Sequence, residues 1–462
     1  MAREILDLVR ERGGERFALH ERFLNAQLVR VLQTIGFDRR YVRARGAYLY
    51  DEQGEAFLDL LSGFGVFAVG RNHPRIVAAL REVIEGELPS MVQMDVEVLA
   101  GILAERLVAT APHLEKVVFV NSGAETVETA IKFARYATRR SAIVYCEHAF
   151  HGVTQGALSL NGDEIFREGF GPLLPDTHRI PWNDLDALER ALAARPVAAF
   201  VVEPIQGHGV NVPSDDYLRE AARLCHAHGA LFVADEVQTG LGRTGRMWAV
   251  EHWGVEPDML LCAKALSGGF VPVGAVLMRR RTFESVYSNM VRAPIHGSTF
   301  SKNSLAMAAG IATLDVMEEE GLVENAAKVG EGILSDLRAI GERHDCVKEV
   351  RGKGMMQAIE FAPPDRLTHK AAWKILDAAQ KGLFAQLVVV PLLQKHRILS
   401  QTSGHDQAVI KFLPPLVIGD GERQSIARAV DDVLVDTEQI GGAIWSFGKT
   451  LARAALRTKA GG

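Results

Sequence analysis

The stretch Ala230–Gly245, ALFVADEVQTGLGRTG, passes directly from apolar residues into acids, a glutamine and glycines. Its opening residues are too few for a helix and rich in branched and aromatic side chains, which predicts an interior strand of a parallel sheet. Asp235 and Glu236 then fall at the carboxyl end of that strand, where open α/β sheets bind ligands. Further on, Lys264 stands inside Leu260-Leu261-Cys262-Ala263-Lys264-Ala265-Leu266. Burial in so apolar a run disfavours the ammonium form, lowers the pKa and makes the neutral, nucleophilic amine available. An acid at one strand end and a desolvated lysine at the next suggest a cofactor held as a Schiff base.

The elements needed to place these groups are legible around them. From about Pro74 to Arg280 strands and helices alternate, the signature of a doubly wound, mostly parallel sheet. Val117–Val120 reads as a strand, and Ser122 with Glu125 three residues later reads as a capping box opening the next helix. Asn121-Ser122-Gly123-Ala124 is then either a plain helix cap or a cup whose free N–H groups and dipole suit a phosphate. Ala142–Cys146 is another strand, followed by Glu147-His148-Ala149-Phe150-His151-Gly152. Cys146, His148 and His151 could be metal ligands, but no second cluster accompanies them, and an aromatic beside a glycine suits a flat ligand better. Val197–Val202 is a third strand; Pro204 ends it and leaves Glu203 at the mouth. Gly240-Leu241-Gly242-Arg243-Thr244-Gly245 matches the dinucleotide pattern G-x-G-x-x-G, with Asp258 downstream as a candidate ribose ligand. Residues 235–239 separate it from its strand, so the match is read as accidental.

Composition sets the outer bounds. The chain has 462 residues, 48% hydrophobic and 24% charged, enough for a large core and more than one lobe. A net charge of −5 leaves no footprint for nucleic acid, and no segment approaches the roughly twenty apolar residues of a membrane span. Cys146, Cys225, Cys262 and Cys346 lack paired spacing, which points to a reducing cytoplasm without disulfides or structural zinc. Met1-Ala2-Arg3-Glu4 has no apolar signal-peptide core, so no export is expected.

Residues 1–73 are read as a segment serving a small domain and a site loop. Leu24, Leu28, Val31 and Ile35 recur at helical spacing and Gly36 stops that helix. Tyr48–Tyr50 and Ala56–Leu58 flank a turn and form a hairpin. The glycine-punctuated run from Leu60 to Pro74, holding Phe64 and Phe67, is expected to be a loop over a site. Residues 74–335 form the large domain. Asn303–Met317 is helical and a long helix follows toward Ile340. Residues 336–437 form a smaller α+β domain, with Val347–Phe361 as strand, turn, strand and Ala408–Pro415 as a strand toward the site. In 438–462, Ile440, Ile444, Phe447 and Leu451 share a helical face opposite Lys449, Arg453 and Arg457. That amphipathic helix either docks on its own protomer or makes weak peripheral contact with an anionic membrane or a carrier partner.

From about Tyr48 to Pro415 the chain resembles the class III (omega) aminotransferases, pyridoxal-phosphate enzymes of fold-type I. The resemblance rests on Ser122-Gly123-Ala124-Glu125, Phe150-His151-Gly152, Glu203-Pro204-Ile205-Gln206-Gly207, Asp235-Glu236-Val237-Gln238, Lys264, Gly297-Ser298-Thr299-Phe300 and Pro414-Pro415. It implies that Lys264 carries the cofactor, Asp235 pairs with the pyridine nitrogen, Phe150 and Val237 sandwich the ring, and Gln238 reaches the phenolic oxygen. Ser122, Gly123 and Ala124 would hold the phosphate, with Thr299, beside Ser298, completing it from the neighbouring subunit of a homodimer; His151 and Glu203 fall in the same cofactor blocks. The implied reaction is transamination between an amine and a 2-oxo acid, an aminomutase or decarboxylase on the same scaffold being the enzymatic alternative. A non-enzymatic cofactor-binding scaffold is disfavoured by the presence of Lys264, Asp235 and Gln238 together.

Relatives acting on ornithine, acetylornithine or 4-aminobutyrate usually have an arginine shortly before the paired prolines and a glutamate just after the Glu-Pro motif. Here those places hold Lys411 and His208. A lysine cannot grip a carboxylate in the planar bidentate way of arginine, and Phe64 stands where some relatives use a tyrosine hydroxyl, with Phe67 adding apolar surface. These departures suggest an apolar amine or a polyamine as substrate, with Lys411 a point charge for an acceptor such as pyruvate or 2-oxoglutarate; the other reading is that Lys411 and His208 form a local hydrogen-bonded pair.

Overall fold

The computed structural model describes residues 4–92, 94–365, 370, 373–374, 377–378, 381–405 and 407–437. The chain begins with helices Ile5–Arg12, Arg16–Phe23 and Ala26–Thr34. The third starts at Asn25, whose side chain caps the N–H groups of Gln27 and Leu28, so Leu24 lies outside the helix expected to include it. Leu24, Leu28 and Val31 are exposed and Val29 is the buried member, a correction to the expected apolar face. The reason is that helical spacing selects a stripe only where another element covers it.

Strands β1 (Tyr41–Arg45), β2 (Tyr48–Asp51) and β3 (Ala56–Asp59) follow, β2 and β3 forming the expected hairpin with Tyr48 opposite Leu58. Then comes a seven-stranded sheet of β4 (Lys116–Val120), β5 (Ala142–Cys146), β6 (Thr177–Ile180), β7 (Val197–Val202), β8 (Leu231–Asp235), β9 (Met259–Cys262) and β10 (Gly274–Met278), in the order β4-β10-β9-β8-β7-β5-β6. Neighbours from β9 to β6 pair in parallel, whereas β10 runs antiparallel to both β4 and β9. Strands β5, β7, β8 and β9 are buried throughout, as expected for a sheet with helices on both faces.

The helices over 304–319 and 322–341 and the strands over 347–361 and 409–412 fall where the sequence places them, and two short strands over 398–402 are additional. Helices Ser304–Glu319 and Leu322–Gly341 precede β11 (Val347–Lys353) and β12 (Met356–Phe361), and β13 (Ile398–Leu399), β14 (Gln401–Thr402) and β15 (Val409–Phe412) follow. β13 joins the N-terminal sheet beside β3, and β15 lies between β12 and β14 in a separate four-stranded sheet. Among the described residues no helix is long and apolar enough to cross a membrane. The four cysteines are buried. The amphipathic helix expected over 438–462 lies outside the described residues.

Candidate active site

The carboxyl ends of β4, β5, β7, β8 and β9 all open on the same edge of the large sheet, because these strands run in one direction with β10 inserted the other way. Ser122, Phe150, His151, Glu203, Asp235 and Lys264 each lie at or just past one of these ends. After β4, Ser122 caps the helix Gly123–Thr138, its hydroxyl accepting from the Glu125 N–H at 3.2 Å. The expected box is only half formed: the Glu125 carboxylate turns to Asn121 instead, taking its backbone N–H at 2.7 Å and its side-chain Nδ2 at 2.9 Å. The Gly123 and Ala124 N–H groups keep no acceptor among the described residues, the condition for an anion cup. Gly123 also lets Val237 approach, since a Cβ there would fall 2.8 Å from its Cγ1.

Asp235 ends β8 and is buried. Its Oδ2 lies 2.7 Å from His151 Nδ1 and its Oδ1 accepts the Val237 N–H at 3.1 Å. Burial opposes a charge on His151, but the hydrogen bond and charge of Asp235 outweigh it and hold the imidazole above its ordinary value. Glu203 is a correction: it is 6% exposed and does not stand open at the mouth. Its oxygens accept the N–H of Phe150 at 3.0 Å and of Gly207 at 2.8 Å, so it braces two loops. Burial raises its carboxyl.

Lys264 follows β9 with φ +36, an uncommon backbone conformation for a side chain other than glycine. The residue is partly exposed. Burial lowers its ammonium, with Asp235 and Glu203 pulling the other way. Cys146, His148 and His151 diverge instead of converging: Cys146 Sγ meets Tyr217 Oη at 3.7 Å, His148 Nδ1 meets Asp163 at 2.8 Å, and His151 meets Asp235. Asp258 lies at the opposite edge of the sheet, where Phe232 N–H, His226 and Arg281 occupy its oxygens, leaving nothing for a ribose.

The two residues read as a substrate switch do not pair with each other. His208 stacks on Phe150, ring centroids 4.8 Å apart at 24°, and its Nδ1 faces Asp163 Oδ2 at 3.9 Å. Lys411, on β15 and 3% exposed, donates to the Gly207 carbonyl at 2.7 Å and to Gln238 Oε1 at 3.3 Å. Phe64, with φ +61, is exposed on the loop beside the site, while Arg71 covers the ring of Phe67 at 3.9 Å. Ser298 and Thr299 are exposed, Ser298 Oγ lying 2.7 Å from Asn121 Nδ2. Asp163 carries no signal in the sequence, and Asn121 and Arg243 enter there only as parts of motifs, without a role of their own. Arg243 sits inside the glycine motif, fully buried, its guanidinium held by the carbonyls of Met355 and Pro414 and pushed down to about 9 by burial. A charged residue between glycines was the available signal.

Lys411 supplies a stability test. Burial and Lys264 push its ammonium down to about 7, Glu203 opposing and Arg243 adding to them. An unfolded lysine titrates near ~10.4, so between the two values the unfolded chain binds the extra proton and stability rises with pH. The penalty is complete below the folded value and fades as the pH rises toward the unfolded one. The apoprotein carrying Lys411→Met is therefore expected to melt a few degrees above wild type at about pH 6.5, with the gap closing by about pH 9.5. A gap that does not change with pH would mean Lys411 is not a buried charge.

The residues present fit pyridoxal phosphate: two unpaired N–H groups at a helix start, a desolvated lysine, and a buried acid backed by an imidazole. Comparisons with known proteins agree. The sequence model of the family described as aminotransferase class-III matches residues 34–434. An ornithine aminotransferase from Bacillus cereus (strain Q1) is 37% identical over 401 residues, 85% of this chain and 93% of that protein. Aminotransferase PigE from Serratia sp. (strain ATCC 39006) is 34% identical over 436 residues, 87% of this chain; the chain spans about half of PigE, 51% of its length. The crystal structure of the ornithine aminotransferase from Toxoplasma gondii, described with partial occupancy of PLP at its active site, superposes with TM-score 0.81 at 30% identity, covering 95% of this chain and 99% of that one. The chain thus belongs to the class III aminotransferases and is a pyridoxal-phosphate-dependent enzyme.

Proposed function

We propose that the enzyme transfers the amino group of an apolar amine, diamine or polyamine to a 2-oxo acid such as pyruvate or 2-oxoglutarate. When bound, pyridoxal phosphate supplies an aldehyde for the amine and a ring that takes up the electrons left when the substrate carbon loses its proton. Lys264 holds the cofactor, then moves the proton as acid and base. Asp235, kept in place by His151, holds a proton on the pyridine nitrogen. Ser122, Gly123 and Ala124 take the phosphate, Phe150 and Val237 flank the ring, and Gln238 donates to the phenolic oxygen. Glu203 fixes the Phe150 backbone.

The observation that carries the substrate reading is the state of His208 and Lys411. His208 is turned onto Phe150 and Lys411 is occupied by an amide and a carbonyl, so these two positions offer no guanidinium–carboxylate pair to an amino-acid headgroup. Lys411 retains a third N–H for an acceptor carboxylate. The second reading, an amino-acid enzyme, is favoured by the relative named ornithine aminotransferase that matches over nearly its whole length. Comparing kcat/KM for alkyl amines and diamines with ornithine and 4-aminobutyrate separates them. Amines are expected to lead; amino acids ahead by more than about tenfold, roughly 1.4 kcal/mol in transition-state binding, would overturn the amine reading.

A homodimer belongs to the same proposal, with Thr299 completing the phosphate site of a second copy. Its support is a run of exposed apolar residues beside the site, Met290 at 93%, Val291 at 88% and Phe300 at 58% exposure. Sedimentation velocity on serial dilution is expected to show cofactor loss in step with dissociation; a monomer that retains cofactor would refute the shared site.

A further inference from the structure

Gln238 is held from three sides by parts of the chain far apart in sequence. Its Oε1 receives the Lys411 ammonium at 3.3 Å and its Nε2 donates to the Phe64 carbonyl at 3.1 Å. Gly207 closes the third side, since a Cβ there would fall 2.8 Å from Oε1, and the Gly207 carbonyl takes the shorter bond from Lys411 at 2.7 Å. An ammonium only donates and a carbonyl only accepts, so these neighbours admit one orientation of the amide. Turned over, the amide would set its NH2 against the Lys411 ammonium and its oxygen against the Phe64 carbonyl, losing both bonds.

We infer that Lys411 is a positioning residue for Gln238, fixing the amide so that its NH2 faces Phe64 and the cofactor's phenolic oxygen. The inference rests on the proposed role of Gln238 toward that oxygen. An amide has two N–H donors; Phe64 takes one and leaves one for the cofactor. Phe64 and Gly63 both have left-handed backbones, so the same amide also restrains the loop that carries the exposed Phe64 ring. Lys411 therefore acts in the amine half-reaction, where no carboxylate is present, as well as in the acceptor half-reaction. A residue that only anchored the oxo acid would act in the second alone.

The test uses holoenzyme with Lys411→Met and Lys411→Arg, each also placed in a Gln238→Leu background. Methionine fills a similar volume without a donor, and arginine restores the charge and the donors. Loss of a donor to the phenolic oxygen is expected to raise the midpoint pH of the cofactor's visible absorption change by about one unit in Lys411→Met. Single-turnover bleaching by a carboxylate-free amine should slow about tenfold. Lys411→Arg should return the absorption midpoint toward wild type, and Lys411→Met should add nothing to Gln238→Leu, as expected for two residues acting through one contact. An unchanged midpoint and amine half-reaction, with only the oxo-acid KM raised, would overturn the inference, as would additive effects of the two substitutions. The absorption measurement needs no substrate, so it decides this point even if no amine proves to be a donor.

Discussion

Lys264→Ala is expected to abolish the borohydride-reducible link between protein and cofactor and to slow the amine half-reaction about 10⁴-fold, while the variant still binds cofactor without a covalent bond. The separation of binding from chemistry follows from where the groups lie. The proposed phosphate cup lies at the start of the helix Gly123–Thr138, and Phe150 and Val237, proposed to flank the ring, lie in the loops after β5 and β8. Deleting the Lys264 side chain after β9 disturbs none of them. The amine itself is tuned by opposing influences: burial lowers it, while Asp235 and Glu203 favour its charged form. Burial wins, which makes the neutral amine more accessible as a base, and the 10⁴ factor, about 5.5 kcal/mol, is lost from proton transfer. A small exogenous amine should restore part of the rate. A variant that still traps label, or that keeps more than about one hundredth of the rate, would remove Lys264 from the role.

The site was legible in the sequence where it coincides with buried strands. Runs such as Leu231–Asp235 and Met259–Cys262 are apolar because both faces of the sheet are covered, so the first polar residue past each run marks the functional edge. Asp235 and Glu203 are legible in this way, whereas Lys264 stands out as a charge inside an apolar run and Ser122 as a helix cap with Glu125 three residues on. Periodicity carries no information on strand direction, and for that reason the antiparallel entry of β10 between β4 and β9 was not foreseen. It also does not say what covers a helix: Leu28 and Val31 recur at helical spacing and lie exposed. The contacts that orient side chains were hidden for a different reason. Gln238 meets Lys411 across 173 positions and Phe64 across 174, and His208 is drawn to Phe150 and Asp163 instead of Lys411. Pairings of this kind depend on how separate loops converge, and residue types at each position leave several partners open.

Asp235→Asn is expected to lower the rate of both half-reactions by about 10³, roughly 4 kcal/mol, with cofactor and its borohydride-reducible link to Lys264 retained. Asparagine keeps the shape and can still accept the Val237 N–H through its oxygen, as Asp235 Oδ1 does at 3.1 Å. What it loses is the negative charge at the end of β8, in a buried setting where a charge acts strongly across a short distance. A pyridine nitrogen that Asp235 is proposed to face would then hold its proton less firmly, and the ring would take up the substrate's electrons less readily. His151 changes too. Burial opposes its charge and Asp235, 2.7 Å from Nδ1, outweighs burial; without the carboxylate only the smaller pull of Glu203 is left against burial, which favours the neutral ring. His151→Gln therefore isolates the indirect part: it leaves the Asp235 charge in place and frees its orientation, and should cost about tenfold, far less than Asp235→Asn. If the two variants lose equal activity, the carboxylate works only by holding His151. If Asp235→Asn loses less than about tenfold, the acid at this strand end does not face the ring nitrogen at all.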